Sequence, residues 1–175
     1  METFATTAPD RIQRLAEDAA RSSYLIGIWP SDRILRLADE VRTLAVRAAA
    51  VGAEMVLCHA DIHPGNLLAD AAGALHVVDW DAPIIAPRER DLMFVFGTDY
   101  GDHPINPHRE GLFRRGYGSV ELDPTLMAYY QTERTLDDIA EFAANVLDPD
   151  ISDATRANDL HWLRRLVEDQ RHSDS

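Results

Sequence analysis

Residues 55–81 read MVLCHADIHPGNLLADAAGALHVVDWD, and the rest of the chain is best understood outward from them. Met55–Cys58 is a short apolar run that predicts a strand, delivering the chain to His59-Ala60-Asp61. A loop with Pro64 and Gly65 follows. Asn66–Ala69 and Leu75–Trp80 predict two further strands, separated by a turn at Asp70-Ala71-Ala72-Gly73. Polar groups therefore stand at the ends of apolar strands, where a rigid backbone opens onto a cleft and sites are commonly built.

On either side of this stretch the period changes to that of helices. Residues 1–8 read as a loose tail. Asp10 is placed to cap a helix over about 11–21, with Ile12, Leu15, Ala16 and Ala19 on one face. Tyr24–Trp29 is a short apolar stretch that ends at Pro30. Ser31 is placed to cap a second helix over 32–51, closed by Gly52. After Pro87, RERDLMFVFG predicts a helix stopping near Gly97, and Thr98–Pro107 a polar loop. A short helix over 108–117 follows. A long one runs from Pro124 to Leu147, and a last one covers 153–169 before a frayed HSDS end.

The composition narrows the function. A hydrophobic fraction of 46% in 175 residues suits one globular domain. No apolar run approaches the ~20 residues of a membrane span, and METFATTAPDR lacks the pattern of a secretory signal. A single cysteine, Cys58, makes no internal disulfide, so the cytoplasm is the expected compartment. The net charge of -13 argues against nucleic acid and is compatible with a cationic ligand or simply with solubility. All 17 basic residues are arginines, so a step that needs lysine must find it elsewhere.

Phosphoryl transfer asks little of a protein. A carboxylate orients the attacking hydroxyl and accepts its proton, and oxygen ligands hold Mg²⁺ on the phosphates. Asp61 suits the first task, and Asn66 and Asp79 the second. The order His-x-Asp-x-x-x-x-Asn, then a hairpin, then Asp, is the catalytic-loop and metal-loop arrangement of the kinase fold. Singly, Asp61 and Asn66 read as turn residues; together with Asp79, which ends an apolar run where an unpaired carboxylate is costly, they read as a site. His59, Asp61 and His63 also have zinc-ligand character, but no second cluster at matching spacing accompanies them. Asp81 faces the substrate, the surroundings of the metal ligands, or solvent. Trp80 reads as packing. The other five histidines read as surface or structural. Glu133, Asp137 and Asp138 on the long helix read mostly as a solvated face, though a cationic substrate would find carboxylates there.

His59-Ala60-Asp61-Ile62-His63-Pro64-Gly65-Asn66 followed by Val78-Asp79-Trp80-Asp81 resembles the aminoglycoside phosphotransferase and choline kinase-like family. APRERDLMF (86–94) and RRGYG…YYQTERTLDDIAEF (114–142) are most similar to its spectinomycin phosphotransferase-like branch. The resemblance covers roughly 30–168. It implies an α+β, predominantly helical fold: a protein-kinase-like carboxyl-terminal lobe, residues 9–170, whose small β-hairpin carries the catalytic and metal loops. It implies Asp61 as catalytic base and Asn66 and Asp79 as the ligands that bind Mg²⁺ and, through it, ATP. His59 would brace the loop, and Asp91 would hold it through backbone hydrogen bonds. Ala60 stands where the family usually has glycine, which narrows the backbone allowed there.

The implied activity is ATP- and Mg²⁺-dependent phosphate transfer to a hydroxyl of a small cationic molecule, such as an aminoglycoside or aminocyclitol. The alternative is a non-catalytic, truncated lobe that binds a small molecule or a protein. Only 54 helix-like residues precede Met55, with no lysine and no G-x-G-x-x-G, so the amino-terminal nucleotide-binding lobe is expected to be absent. A homodimer or a separate lobe is then the expected protein partner.

Overall fold

The computed structural model describes residues 1–29, 31–97 and 107–172, with the side chains of Ser31 and 168–172 excepted. The reading of Ser31 as a cap, and most of the expected 98–107 loop and of the HSDS end, lie outside the described residues. Two compact units form, one from Met1–Ala5 and Val46–Gln131, the other from Thr6–Ala45 and Thr132–Ser175.

The first unit holds all the strands found among the described residues. β1 (Met55–Cys58) pairs antiparallel with β4 (Ile84–Pro87), Leu57 opposite Ile85 and Cys58 opposite Ile84. β2 (Leu67–Ala69) pairs with β3 (Leu75–Val77) as a hairpin. Its turn is tied by Asp70, whose carboxylate accepts the N–H groups of Ala72 at 2.9 Å and Ala74 at 2.8 Å. Gly73 supplies the φ of +84° that the turn requires. The His76 imidazole at 3.1 Å, and then those N–H groups, hold the Asp70 carboxyl below its ordinary pKa.

β3 is three residues long, shorter than Leu75–Trp80. Beyond it the Val78 N–H still reaches the Asn66 carbonyl at 3.0 Å, but Asp79 turns to φ +64° and the extended run ends. β4 has no counterpart in the sequence reading. Its Ile-Ile-Ala-Pro lies between two prolines, a composition that argues against a central strand; at a ladder end, opposite Met55, the missing N–H of Pro87 costs little.

α3 (Glu89–Phe96), α4 (Pro107–Tyr117) and the first turns of α5 (Pro124–Leu147) complete this unit. α5 starts where Pro124 permits and where Asp123 caps it, its carboxylate accepting the Thr125 and Leu126 N–H groups at 2.7 and 3.1 Å. Buried Glu89 accepts the Asp123 N–H at 3.0 Å, anchoring that start to α3. Residues 1–5, read as part of a loose tail, make defined contacts. Glu2 donates its N–H to the Ile85 carbonyl at 2.7 Å, and its carboxylate accepts the N–H groups of Thr3 and Phe4. Phe4 then packs edge-on against Tyr129, ring centroids 5.6 Å apart. Tyr130 donates to Glu2 at 3.3 Å, and burial pushes its phenol well above the usual range.

The second unit is helical: α1 (Ala8–Arg21), most of α2 (Ser31–Ala49), the rest of α5 and α6 (Asp153–His172). α1 begins three residues before the expected 11–21, because Pro9 is compatible with a first helical turn. Asp10 therefore lies inside the helix, paired with Arg42 at 3.2 Å, and is not its cap. Ile12 and Ala19 of α1 are buried, as are Ile34, Ala38, Val41, Leu44 and Ala45 of α2 and Leu136, Ile139, Ala140, Ala143 and Val146 of α5. These are the spacings of helix faces. The end of α5 is closed by a buried cation: Arg156 donates to the carbonyls of Val146, Asp148 and Ile151.

Two stability measurements follow. Arg156→Met removes the donors from the buried Val146 carbonyl and the part-buried carbonyls of Asp148 and Ile151; it is expected to lower unfolding free energy by about 2–4 kcal/mol, read as a drop in urea midpoint, and an unchanged midpoint contradicts the cap. Ala60 leaves β1 at φ +71°, a strain of ~1–2 kcal/mol for a residue with a Cβ. Glycine removes that strain against an added chain entropy of ~0.5–1 kcal/mol. Ala60→Gly is therefore expected to raise the melting temperature, and a lower one counts against the strain.

Candidate active site

All five residues singled out by the 59–91 motifs fall in the first unit. β1 carries the chain to His59, and there the main chain meets the carboxylate of Asp91 in the first turn of α3. Asp91 accepts the His59 N–H at 2.8 Å on Oδ2 and the Ala60 N–H at 2.7 Å on Oδ1. Two N–H groups on one carboxylate, from consecutive residues, give the turn a single orientation. Ala60 then takes up the left-handed conformation, which redirects the chain toward Asp61.

His59 is buried, and both its ring nitrogens are engaged. Nδ1 accepts the Asp61 N–H at 3.3 Å, which leaves the proton on Nε2, donated to the Val78 carbonyl at 2.9 Å. The imidazole thus joins the 59–61 turn to the strand that leads into Asp79. Trp80 packs against the same ring in a T-shaped arrangement, ring centroids 4.6 Å apart, and its indole N–H donates to the Val77 carbonyl. An imidazole engaged on both nitrogens is not a zinc ligand, which removes His59 from the His59–Asp61–His63 alternative.

Asn66 ends the 3₁₀ turn Pro64–Asn66 and is buried. Its Nδ2 donates to the Asp61 main-chain carbonyl at 2.9 Å and lies 3.4 Å from the Asp61 carboxylate. The amide orientation follows from those acceptors, so Oδ1 is the atom that faces away from them. Its own main-chain carbonyl accepts the Val78 N–H. Asn66 therefore touches Asp61 on one side and the residue before Asp79 on the other.

The carboxylates themselves are accessible. The Asp61 side chain is 40% exposed, with His63 Nε2 at 3.7 Å. Asp79 is exposed at φ +64°, a conformation that aspartate tolerates better than most residues. Asp81 is exposed as well, whereas Asp137 of α5 is paired with Arg11 and Asp138 with Arg134. The sequence reading did not assign a role to Gly65 or Val78. Gly65 allows the His63 ring to lie against it, and Val78 offers only main-chain atoms, which no side-chain pattern can reveal. Cys58, one residue before the site, is buried, and desolvation raises its thiol to about 11, so it is a packing residue rather than a nucleophile.

No described helix is long and apolar enough to cross a membrane. Residues 4–130 match the sequence profile of the APH phosphotransferase enzyme family. The fold is similar to the crystal structure of spectinomycin phosphotransferase, APH(9)-Ia, in complex with ADP and spectinomycin. The TM-score there is 0.79 at 26% identity over 99% of this chain. The AMP-bound complex of the same enzyme gives 0.77 at 28% identity. The chain spans only 57–58% of the length of that enzyme's chain in the two structures. With the matched residues running through the whole 59–91 site, the chain belongs to the APH phosphotransferase enzyme family.

Proposed function

We propose that this chain carries the phosphate-transfer half of an ATP- and Mg²⁺-dependent small-molecule kinase, which phosphorylates a hydroxyl of a cationic substrate of the aminocyclitol or aminoglycoside class. The observation that carries this reading is Asn66, hydrogen-bonded at once to Asp61 and to Val78, the residue before Asp79. Family membership supports the reaction class. The ADP, AMP and spectinomycin named for the similar enzyme support the nucleotide and the substrate class.

In this reading Asp61 orients the acceptor hydroxyl and takes its proton as the oxygen attacks the γ-phosphorus and the nucleoside diphosphate leaves. Asn66 Oδ1 and the Asp79 carboxylate form a neutral-plus-anionic oxygen pair of the kind a hard cation takes. Mg²⁺ held there would offset charge on the phosphate oxygens. His59 and Asp91 keep the turn in place without touching the reacting atoms.

A second reading, a binding lobe without turnover, is favoured by one feature of these 175 residues: no lysine is present to pair with phosphate. Calorimetry with Mg-ATP separates the two. Under the kinase reading, Asp79→Ala is expected to weaken Mg-dependent ATP binding at least about tenfold, 1.4 kcal/mol, while Asp61→Asn leaves it intact. Wherever turnover of an aminocyclitol panel is measurable, Asp61→Asn is expected to lower kcat by about 10²–10⁴. Identical ATP binding by wild type and Asp79→Ala contradicts the metal assignment, and undiminished turnover in Asp61→Asn contradicts the base.

A further inference from the structure

We infer that His63 is a positioning residue for the Asp61 carboxylate, acting through its Nε2–H; the inference rests on the reading of Asp61 as the proton acceptor. The imidazole is held from one side. Its Nδ1 accepts the Gly65 N–H at 3.1 Å, which places the proton of the neutral ring on Nε2. The ring lies so close over Gly65 that a Cβ there would sit 2.6 Å from Cε1 and 3.0 Å from Nδ1. Gly65 is needed for this approach and not for an unusual φ. The main chain of His63 is held as well: its N–H donates to the Asp61 carbonyl at 2.9 Å and its carbonyl accepts the Asn66 N–H at 2.9 Å.

A fixed ring with its proton on Nε2 presents one donor, and that donor faces Asp61 Oδ2 at 3.7 Å. The distance exceeds a hydrogen bond. It falls within one once the 40%-exposed Asp61 side chain turns slightly toward the ring, a tightening common when a site fills. Asn66 Nδ2 approaches the same oxygen at 3.4 Å. Oδ2 therefore lies between two N–H donors that belong to one short turn. A base on a flexible side chain loses rate to misplacement, and a second donor on the same oxygen restricts its rotamers.

A purely structural role as the cap of the 3₁₀ turn makes a different prediction, and nuclear magnetic resonance on the full chain distinguishes the two. Long-range ¹⁵N correlations give the His63 tautomer, and three-bond couplings give the Asp61 χ1 populations. The expected result is an Nε2–H tautomer and one dominant Asp61 rotamer. That rotamer is averaged in His63→Ala, averaged also in Gly65→Ala, whose methyl displaces the ring, and restored in His63→Gln, which keeps an N–H donor. Should His63→Ala fail to fold, Gly65→Ala and His63→Gln carry the test. A proton on Nδ1, an averaged Asp61 in wild type, or an Asp61 rotamer indifferent to loss of the imidazole overturns the inference. Failure of the kinase reading shows separately, as turnover that survives Asp61→Asn while the rotamer data stand.

Discussion

Two hydrogen bonds from consecutive main-chain N–H groups to the Asp91 carboxylate hold the turn that follows β1. Bonds to a charged acceptor contribute about 1.5–3 kcal/mol each, enough to offset the ~1–2 kcal/mol of left-handed strain at Ala60. That balance aims the chain so that Asp61 emerges accessible while His59 turns inward. Every other feature of the site follows from it. From this orientation the buried imidazole reaches the Val78 carbonyl, and the 3₁₀ turn that bears Asn66 begins where the Asp61 carbonyl accepts the His63 N–H.

Polar groups divide here by burial. His59 and Asn66 are buried and satisfied, and their role is to connect segments: the 59–61 turn, the Pro64–Asn66 turn and the strand before Asp79. Asp61, Asp79 and Asp81 keep solvent-accessible carboxylates. A group that must meet a cation or a hydroxyl gains from accessibility, whereas a group that must hold geometry gains from a low dielectric, in which each bond is stronger. Asp91 stands between these cases, half-buried and fully committed to main-chain donors.

Much of the helical framework was legible in advance. α5 begins at Pro124 and ends at Leu147, as the capping and breaking residues around it require, and its apolar stripe is the buried face. β1 was equally clear, since four apolar residues end at a polar cluster. β4 was not, because Pro-Ile-Ile-Ala-Pro carries neither alternation nor a turn signal, and its pairing with β1 joins residues about 30 apart. The length of β3 was overestimated for a related reason. Val77 and Val78 read as strand, yet the αL turn at Asp79 depends on what surrounds it. Asp10 looked like a cap until Pro9 moved the helix start past it.

The sequence by itself determined which oxygen-bearing side chains occur at kinase-like spacing, because Asp61, Asn66 and Asp79 lie within one loop and one hairpin, where local geometry dominates. It also determined which helix faces are buried, because period and composition are local properties. Only the tertiary structure decided what keeps those side chains in place: the return of α3 to put Asp91 beneath the turn, the tautomer of His59, the closeness of the His63 ring to Gly65 and the anchoring of Glu2 on β4. These depend on main-chain N–H and carbonyl groups, which every residue possesses and no sequence pattern distinguishes, and on contacts whose partners lie far apart along the chain.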